Sequence, residues 1–278
     1  MRKVRIDVAT LSAHLEKVRT AAPLIHHITN YVTVNDCANA TLAVGASPVM
    51  ADDPAEAPEM TRIASALVIN MGTLNARTID SMLASGGVAN DCDIPVVFDP
   101  VGVGATAFRS DTAARLLREI RFSVIRGNAS EIMHIAGTDV RTKGVDAGCV
   151  QAPDLEKTMS MLQCGTSPDT VYAATGATDV VVADCGVVSI ENGHPAMARI
   201  TGTGCMCTSL IASFCGAGVP PFEAAICGIA VMGIAGELAY ERTAKEGVGS
   251  MRVRLIDEIG NMSPETLERR LKITCEKR

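Results

Sequence analysis

Ile200-Thr-Gly-Thr-Gly-Cys-Met-Cys-Thr208 sets two glycines one residue apart, a hydroxyl between them and a cysteine at the point where an apolar helix begins. Glycine lets backbone N–H groups turn inward and approach a ligand closely. A helix starting there adds unpaired N–H donors and the positive end of its dipole, so the loop favours a phosphate or a developing negative charge. Gly202, Thr203 and Gly204 are therefore read as an anion-binding loop. Cys205 sits where a catalytic base or nucleophile would sit, and a helix N-terminus is expected to lower its thiol pKa. The same pattern also suits a tight turn without a ligand, with Cys205 as a small packing residue. The surrounding chain has to separate the two readings.

Upstream of this loop, short β-branched and apolar runs alternate with helical ones. Strands are predicted at Leu24–Ile28, Ser47–Met50, Ala66–Ile69, Pro95–Phe98, Phe122–Ile125, Thr170–Ala173, Asp179–Ala183 and Val187–Glu191. Helices are predicted at Ala9–Thr20, Val34–Val44, Ala55–Ala64, Asn75–Ala89, Ser110–Glu119, Ser130–Ala136 and Asp154–Gln163. Near-continuous apolar strands belong to a parallel sheet covered on both faces. Strand–helix alternation gives an α/β layered fold with right-handed crossovers. The runs 179–183 and 187–191 predict a hairpin at the sheet edge. Downstream of the loop almost only helix is expected, at Gly204–Cys215, Pro221–Ala244, Val248–Ile259 and Ser263–Lys272, the last with Ser as N-cap and Pro at the first helical position. No repeat or linker composition divides the chain, so residues 1–278 are read as one domain with a helix-rich final third.

Composition narrows the function. The 278 residues are 47% hydrophobic and 20% charged with net charge −6, enough for a sizeable core. There is no basic stripe and no Trp, and aromatic content is 3%, which argues against a nucleic-acid partner. The ten cysteines show no C-x-x-C pair or zinc-knuckle spacing, and the N-terminus lacks the apolar run of a signal peptide. Reduced thiols in a cytoplasmic protein are expected. The most apolar stretch, Ala224–Ala239, contains Glu237 and reads as a buried helix rather than a membrane span.

Further polar residues end predicted strands, where α/β folds bind ligands. In Phe98-Asp-Pro-Val-Gly-Val-Gly-Ala-Thr106, Asp99 suits a magnesium or phosphate site, or a turn cap. In Ile125-Arg-Gly-Asn-Ala-Ser-Glu131, Arg126 offers a fork of donors for phosphate. Asn128 and Glu131 have capping-box spacing; the alternative is that they order a hydrated Mg²⁺, which keeps several waters and uses one or two carboxylates. His26 and His27 end the first strand on opposite faces, so they do not chelate together. A structural role is the default for them; the functional alternative places His27 with Asn30 in a pocket wall. Met50 suits the core or the floor of an apolar pocket. Thr175 suits a phosphate, a ribose or a plain turn. The chain has no P-loop, no dinucleotide fingerprint after its first strand and no G-x-S-x-G elbow.

Taken together, HHITNYVTVNDCANATLAVGASPVMADD (26–53), VFDPVGVGATAFR (97–109), VIRGNASEI (124–132), ATG (174–176) and TGTGCM (201–206) resemble the hydroxyethylthiazole kinases, thiamine-salvage enzymes of the ribokinase-like superfamily. The blocks run in the family's order over most of the chain. Related sugar and vitamin kinases end the loop in Asp; Cys there marks the thiazole kinases. The resemblance implies a ribokinase-like fold, a homotrimer with sites near subunit contacts, and transfer of phosphate from ATP to the hydroxyl of 4-methyl-5-(2-hydroxyethyl)thiazole with Mg²⁺. It implies that Asn30, Met50 and Gly202 contact the alcohol, that Arg126 and Thr175 contact ATP, and that Asp99 and Glu131 serve the metal and phosphates. The segment near 145–168, with Cys149 and Cys164, matches no motif. The competing readings are another small-alcohol or vitamin-precursor kinase of the superfamily and a nucleotide-binding module without catalysis. An oxidoreductase is disfavoured by the missing fingerprint.

Overall fold

A computed structural model of the chain describes residues 6–137, 152–165 and 169–276. In chain order the elements are α1 (Val8–Ala21), β1 (Leu24–Ile28), α2 (Val34–Val44), β2 (Ser47–Val49), α3 (Ala57–Ile63), β3 (Ala66–Asn70), α4 (Ala76–Asp91), β4 (Val96–Asp99), α5 (Ala107–Glu119), β5 (Val124–Asn128) and α6 (Ala129–Ile135). Then follow α7 (Ala152–Gly165), β6 (Val171–Thr175), β7 (Asp179–Ala183), β8 (Gly186–Ile190), α8 (Thr203–Gly216), α9 (Pro221–Thr243), α10 (Val248–Gly260), α11 (Pro264–Arg270) and β9 (Ile273–Glu276).

The strands form one sheet in the order β2-β1-β3-β4-β5-β6-β7-β8-β9. The first six are parallel and the last three join antiparallel. Alternate side chains feed two cores, one on each face. Val68, Val97 and Val124 pack on one side with the apolar helices α8 and α9. Leu67, Ile69, Phe98 and Ile125 pack on the other with residues of α4, α5 and α6. Two-sided cover is why the strands read as unbroken hydrophobic runs. β2 carries Pro48, tolerated because it is the edge strand.

α9 is long and apolar enough to cross a membrane by length and composition, but most of it is buried within the fold. Gly233 and Gly236 let it approach the segment around Asn192 and Met197: a Cβ at Gly236 would lie 2.1 Å from the Met197 sulfur.

Two expectations change. The 179–190 hairpin is present but is not the sheet edge, because β9 pairs antiparallel with β8, Val187 opposite Glu276 through Ile190 opposite Ile273. The run Ile273-Thr-Cys-Glu276 is too short for periodicity to reveal; an available edge makes it a strand. The last helix correspondingly ends at Arg270 rather than Lys272.

The other shift concerns the functional end of the sheet. β5 runs on to Asn128 and β6 to Thr175, since Arg126 pairs with Ala173 and Asn128 with Thr175. Polar residues expected beyond the strands are thus held in the ladder itself. Among the described residues Cys37, Cys92, Cys205, Cys207, Cys215, Cys227 and Cys275 are free thiols; Cys149 lies outside the described residues, as does the side chain of Cys164.

Candidate active site

The carboxyl ends of the parallel strands carry one polar residue after another. Asn70 ends β3, Asp99 ends β4, Arg126 and Asn128 lie at the end of β5, Thr175 ends β6, and Asn30 follows β1 by two residues. The start of α8 meets this row. Gly202 is its N-cap, with φ +87° and no side chain to cap the first turn. The positive φ is a conformation only glycine adopts freely, and a Cβ there would lie 2.7 Å from Thr33 Cγ2. A Cβ on Gly204 would lie 2.5 Å from Arg126 Nη1, so the guanidinium rests directly against the helix start. Helix N-terminus and guanidinium together make one electropositive corner.

Asp99 is fully buried. Its Oδ2 accepts hydrogen bonds from Asn70 Nδ2 at 2.8 Å and Thr208 Oγ1 at 2.9 Å. Its Oδ1 lies 3.7 Å from Arg126 Nη1 and has no hydrogen-bond partner among the described residues. Burial pushes its carboxyl above the usual range, against the opposing pull of Arg126, Thr208 and Asn70. Arg126 donates to Thr175 Oγ1 through Nη2, while its Nε is buried and unpaired among the described residues. A buried carboxylate oxygen and a buried guanidinium N–H left open at one place are what a polar ligand would satisfy.

Glu131 realises the capping reading. Its Oε2 accepts from Asn128 N at 2.7 Å while Asn128 Oδ1 accepts from Glu131 N at 2.9 Å. Its Oε1 accepts from Gly102 N at 2.8 Å, which ties the loop after β4 to the start of α6. Burial, then the Asp99 charge, pushes its carboxyl up to about 7. Among the described residues no group of three or more His, Cys, Asp or Glu could hold a metal alone. The donor set nevertheless fits a magnesium ion arriving with a nucleotide, because such an ion takes most of its ligands from phosphates and water and the open Asp99 oxygen is the right kind of donor.

Cys205 lies half-buried in the first turn of α8. Its sulfur accepts from Asn30 Nδ2 at 3.4 Å and Asn70 Nδ2 at 3.3 Å. The expected lowering of its thiol pKa does not occur: burial raises it, and so does the nearby Asp99 carboxylate. The helix start is sunk in the protein rather than open to solvent, so desolvation of the thiolate dominates. Asn30 is fully engaged as well, its Oδ1 accepting from Thr33 N and Thr33 Oγ1 at 3.1 Å each.

The histidines take structural roles on opposite faces of β1. His26 meets Thr61 Oγ1 and Ala51 O; His27 meets Ile25 O and Ser209 Oγ. Met50 follows β2, half-buried, and is not part of the cavity wall described next. Sequence reasoning missed Asn70 and Thr208. Asn70 carried the same signal as Asp99, a lone polar residue closing an apolar strand. Thr208 stands one helical turn beyond Gly204.

Beside the corner opens a cavity of about 580 Å³. Arg126, Thr175, Thr203 and Gly204 line one part, and Met197 and Met232 supply apolar wall. Its size suits a small organic molecule.

The model of the hydroxyethylthiazole kinase family matches residues 15–265. A hydroxyethylthiazole kinase of Clostridium beijerinckii is 52% identical over 98% of both chains. The solved structure of a hydroxyethylthiazole kinase protein from Pyrococcus horikoshii is 34% identical, with a TM-score of 0.86 over 96% of this chain and 99% of that one. A ribokinase-like superfamily protein of Enterococcus faecalis, 11% identical, has a TM-score of 0.63 over 93% of this chain and 96% of its own, a likeness of fold alone.

Proposed function

This chain belongs to the hydroxyethylthiazole kinase family, and from that premise we propose that it transfers the γ-phosphate of ATP to the hydroxyl of 4-methyl-5-(2-hydroxyethyl)thiazole, as a single ribokinase-like domain over residues 1–278. The observation that carries the reading is the meeting of Arg126, Asp99 and the Gly202–Cys205 helix start beside one cavity, which Arg126, Thr203 and Gly204 line. Phosphoryl transfer asks a protein mainly for positioning and charge neutralisation, and this corner offers both.

In this reading the nucleotide occupies the cavity, with Arg126 and Thr175 on its phosphates and the N–H groups of Thr203 and Gly204 facing the charge that develops during transfer. Asp99, through its open oxygen, and Glu131, through water, would hold Mg²⁺, which neutralises phosphate charge when bound. The alcohol lies toward Asn30, Met50 and Gly202, with its hydroxyl near Cys205. The raised thiol pKa leaves Cys205 mostly protonated, so only its minor thiolate form can accept the alcohol proton, and that transfer comes late, once the transferring phosphoryl has drawn charge from the oxygen. That order suits a loose transition state and argues against a preformed thiolate nucleophile.

The assembly is proposed to be a homotrimer with each pocket near a subunit contact. Tyr31 and Val32, directly after Asn30, are 79% and 58% exposed, an unusual amount of apolar surface beside a site. Light scattering that finds a fully active monomer removes this part. A cytoplasmic location is in keeping with the free thiols. The function is tested by coupled ADP release with the thiazole alcohol, ATP and Mg²⁺, against pyridoxal and simple sugars at equal concentration. Preference for another alcohol would reassign the substrate. Tight ATP binding with no ADP release from any alcohol would leave a nucleotide-binding module.

A further inference from the structure

Asn70 spends its whole hydrogen-bonding capacity inside this site. Its Nδ2 donates to Asp99 Oδ2 at 2.8 Å and to Cys205 Sγ at 3.3 Å. Its Oδ1 accepts from Asn30 Nδ2 at 3.0 Å and from Gly72 N at 2.8 Å. Two donors and two acceptors exhaust a primary amide. The amide orientation follows from chemistry, because the Gly72 N–H can only donate and so must face the oxygen. That leaves the nitrogen toward the carboxylate of Asp99. The side chain is 2% exposed, so water does not compete for these bonds.

The partners come from separate elements: Asp99 from β4, Cys205 from α8 and Asn30 from the loop after β1. Gly72 leaves no room for slack: a Cβ there would lie 2.6 Å from Asn30 Cβ. We infer that Asn70 is a positioning residue, which sets the distance between the phosphate-facing side of the site at Asp99 and the alcohol-facing side at Cys205. The inference rests on the kinase reading above for its catalytic consequence, but the tie itself is independent of the substrate. One rigid amide shared by two groups transmits the placement of each to the other, as in-line transfer between two bound molecules requires.

The test compares full-length wild type with Asn70→Ala and Asn70→Ser, each checked for folding by circular dichroism. Asn70→Ser retains a small hydroxyl and serves should the alanine variant not fold. In Asn70→Ala, kcat is expected to fall about 10- to 100-fold, the scale of hydrogen bonds lost to charged groups, while KM for ATP stays within about twofold. Asn70→Ser is expected to fall between the two. Independently of turnover, Cys205 loses an N–H donor that favours its thiolate. The pH at which the Cys205 peptide reaches half its maximal iodoacetamide labelling rate, read by mass spectrometry, therefore rises.

A folded variant with wild-type kcat, a loss confined to KM, or an unmoved labelling profile overturns the inference while leaving the kinase reading intact. A shifted labelling profile in a protein that phosphorylates no thiazole alcohol sustains the tie and overturns the kinase reading.

Discussion

Gly202→Val puts the helix-start corner under the most direct strain. The residue holds φ +87°, where an L side chain costs roughly 1–2 kcal/mol. The new Cβ would stand 2.7 Å from Thr33 Cγ2 and 3.1 Å from Thr33 Cβ. Thr33 is 3% exposed and cannot swing into solvent, so overpacking adds about 1–3 kcal/mol. The sum, about 2–5 kcal/mol, corresponds to a fall in Tm of roughly 5–15 °C for a chain of this size. Turnover is expected to suffer more than stability. Thr33 holds Asn30 through two bonds to its Oδ1, and Asn30 in turn donates to Cys205. A displaced loop misaims the backbone donors, and losing one such donor costs about 10²–10³ in kcat. Gly202→Ala shares the φ cost with less bulk and should fall between Val and wild type. Thermal melts and single-turnover phosphate transfer measure the two effects on the same samples. A Gly202→Val protein that melts within about 2 °C of wild type and turns over at its rate would refute both the steric account and the anion-hole reading.

Three further outcomes follow from other parts of the molecule. Cys205→Ser is expected to lower single-turnover transfer by roughly 10²–10⁴, the range for losing a positioned proton acceptor, whereas Cys205→Asp keeps substantial activity as an oxygen base accepting the same amides; full activity in Cys205→Ser removes the thiol from the mechanism. Neighbouring glycines in α4 should respond with opposite sign: Gly87→Ala meets nothing within 4 Å and should stabilise by about 0.5–1 kcal/mol, while a Cβ at Gly86 would lie 2.3 Å from Ile120 Cδ1, so Gly86→Ala destabilises, and urea midpoints in the reverse order would contradict this packing. Asp179 has its carboxyl pushed up to about 7, chiefly by burial. The folded chain therefore keeps this proton between about pH 4 and 7 where the unfolded chain has lost it, and stability from this group falls as pH rises through that window. Asp179→Asn keeps the Oδ1 acceptor for Gly176 N and should gain on wild type progressively, by roughly 4 kcal/mol at most above pH 7. The buried histidines, with His27 lowered to about 4, bend both curves alike and cancel in the difference; a difference that is flat from pH 4 to 8 speaks against the buried carboxyl.

Local order in the chain was enough to locate most of the fold and the principal site loops. Leu24–Ile28, Val34–Val44 and Asp179–Ala183 coincide with their elements residue for residue, because periodicity and β-branching act over neighbouring positions. The glycines around Cys205, the Asp-Pro at the end of β4 and the Asn128–Glu131 spacing were legible for the same reason: a turn or a cap is a short-range object. What tertiary structure alone decided are relations across the chain. Ile273–Glu276 became a strand because β8 had an open edge. Asn70 became the centre of a network because it meets Cys205, 135 positions away. The Cys205 thiol moved opposite to what its helix position suggests, since its ionisation depends on the bulk of protein around it and on Asp99 from another strand. Hydrogen-bond partners and desolvation are properties of three-dimensional neighbourhoods, and no window of sequence contains them.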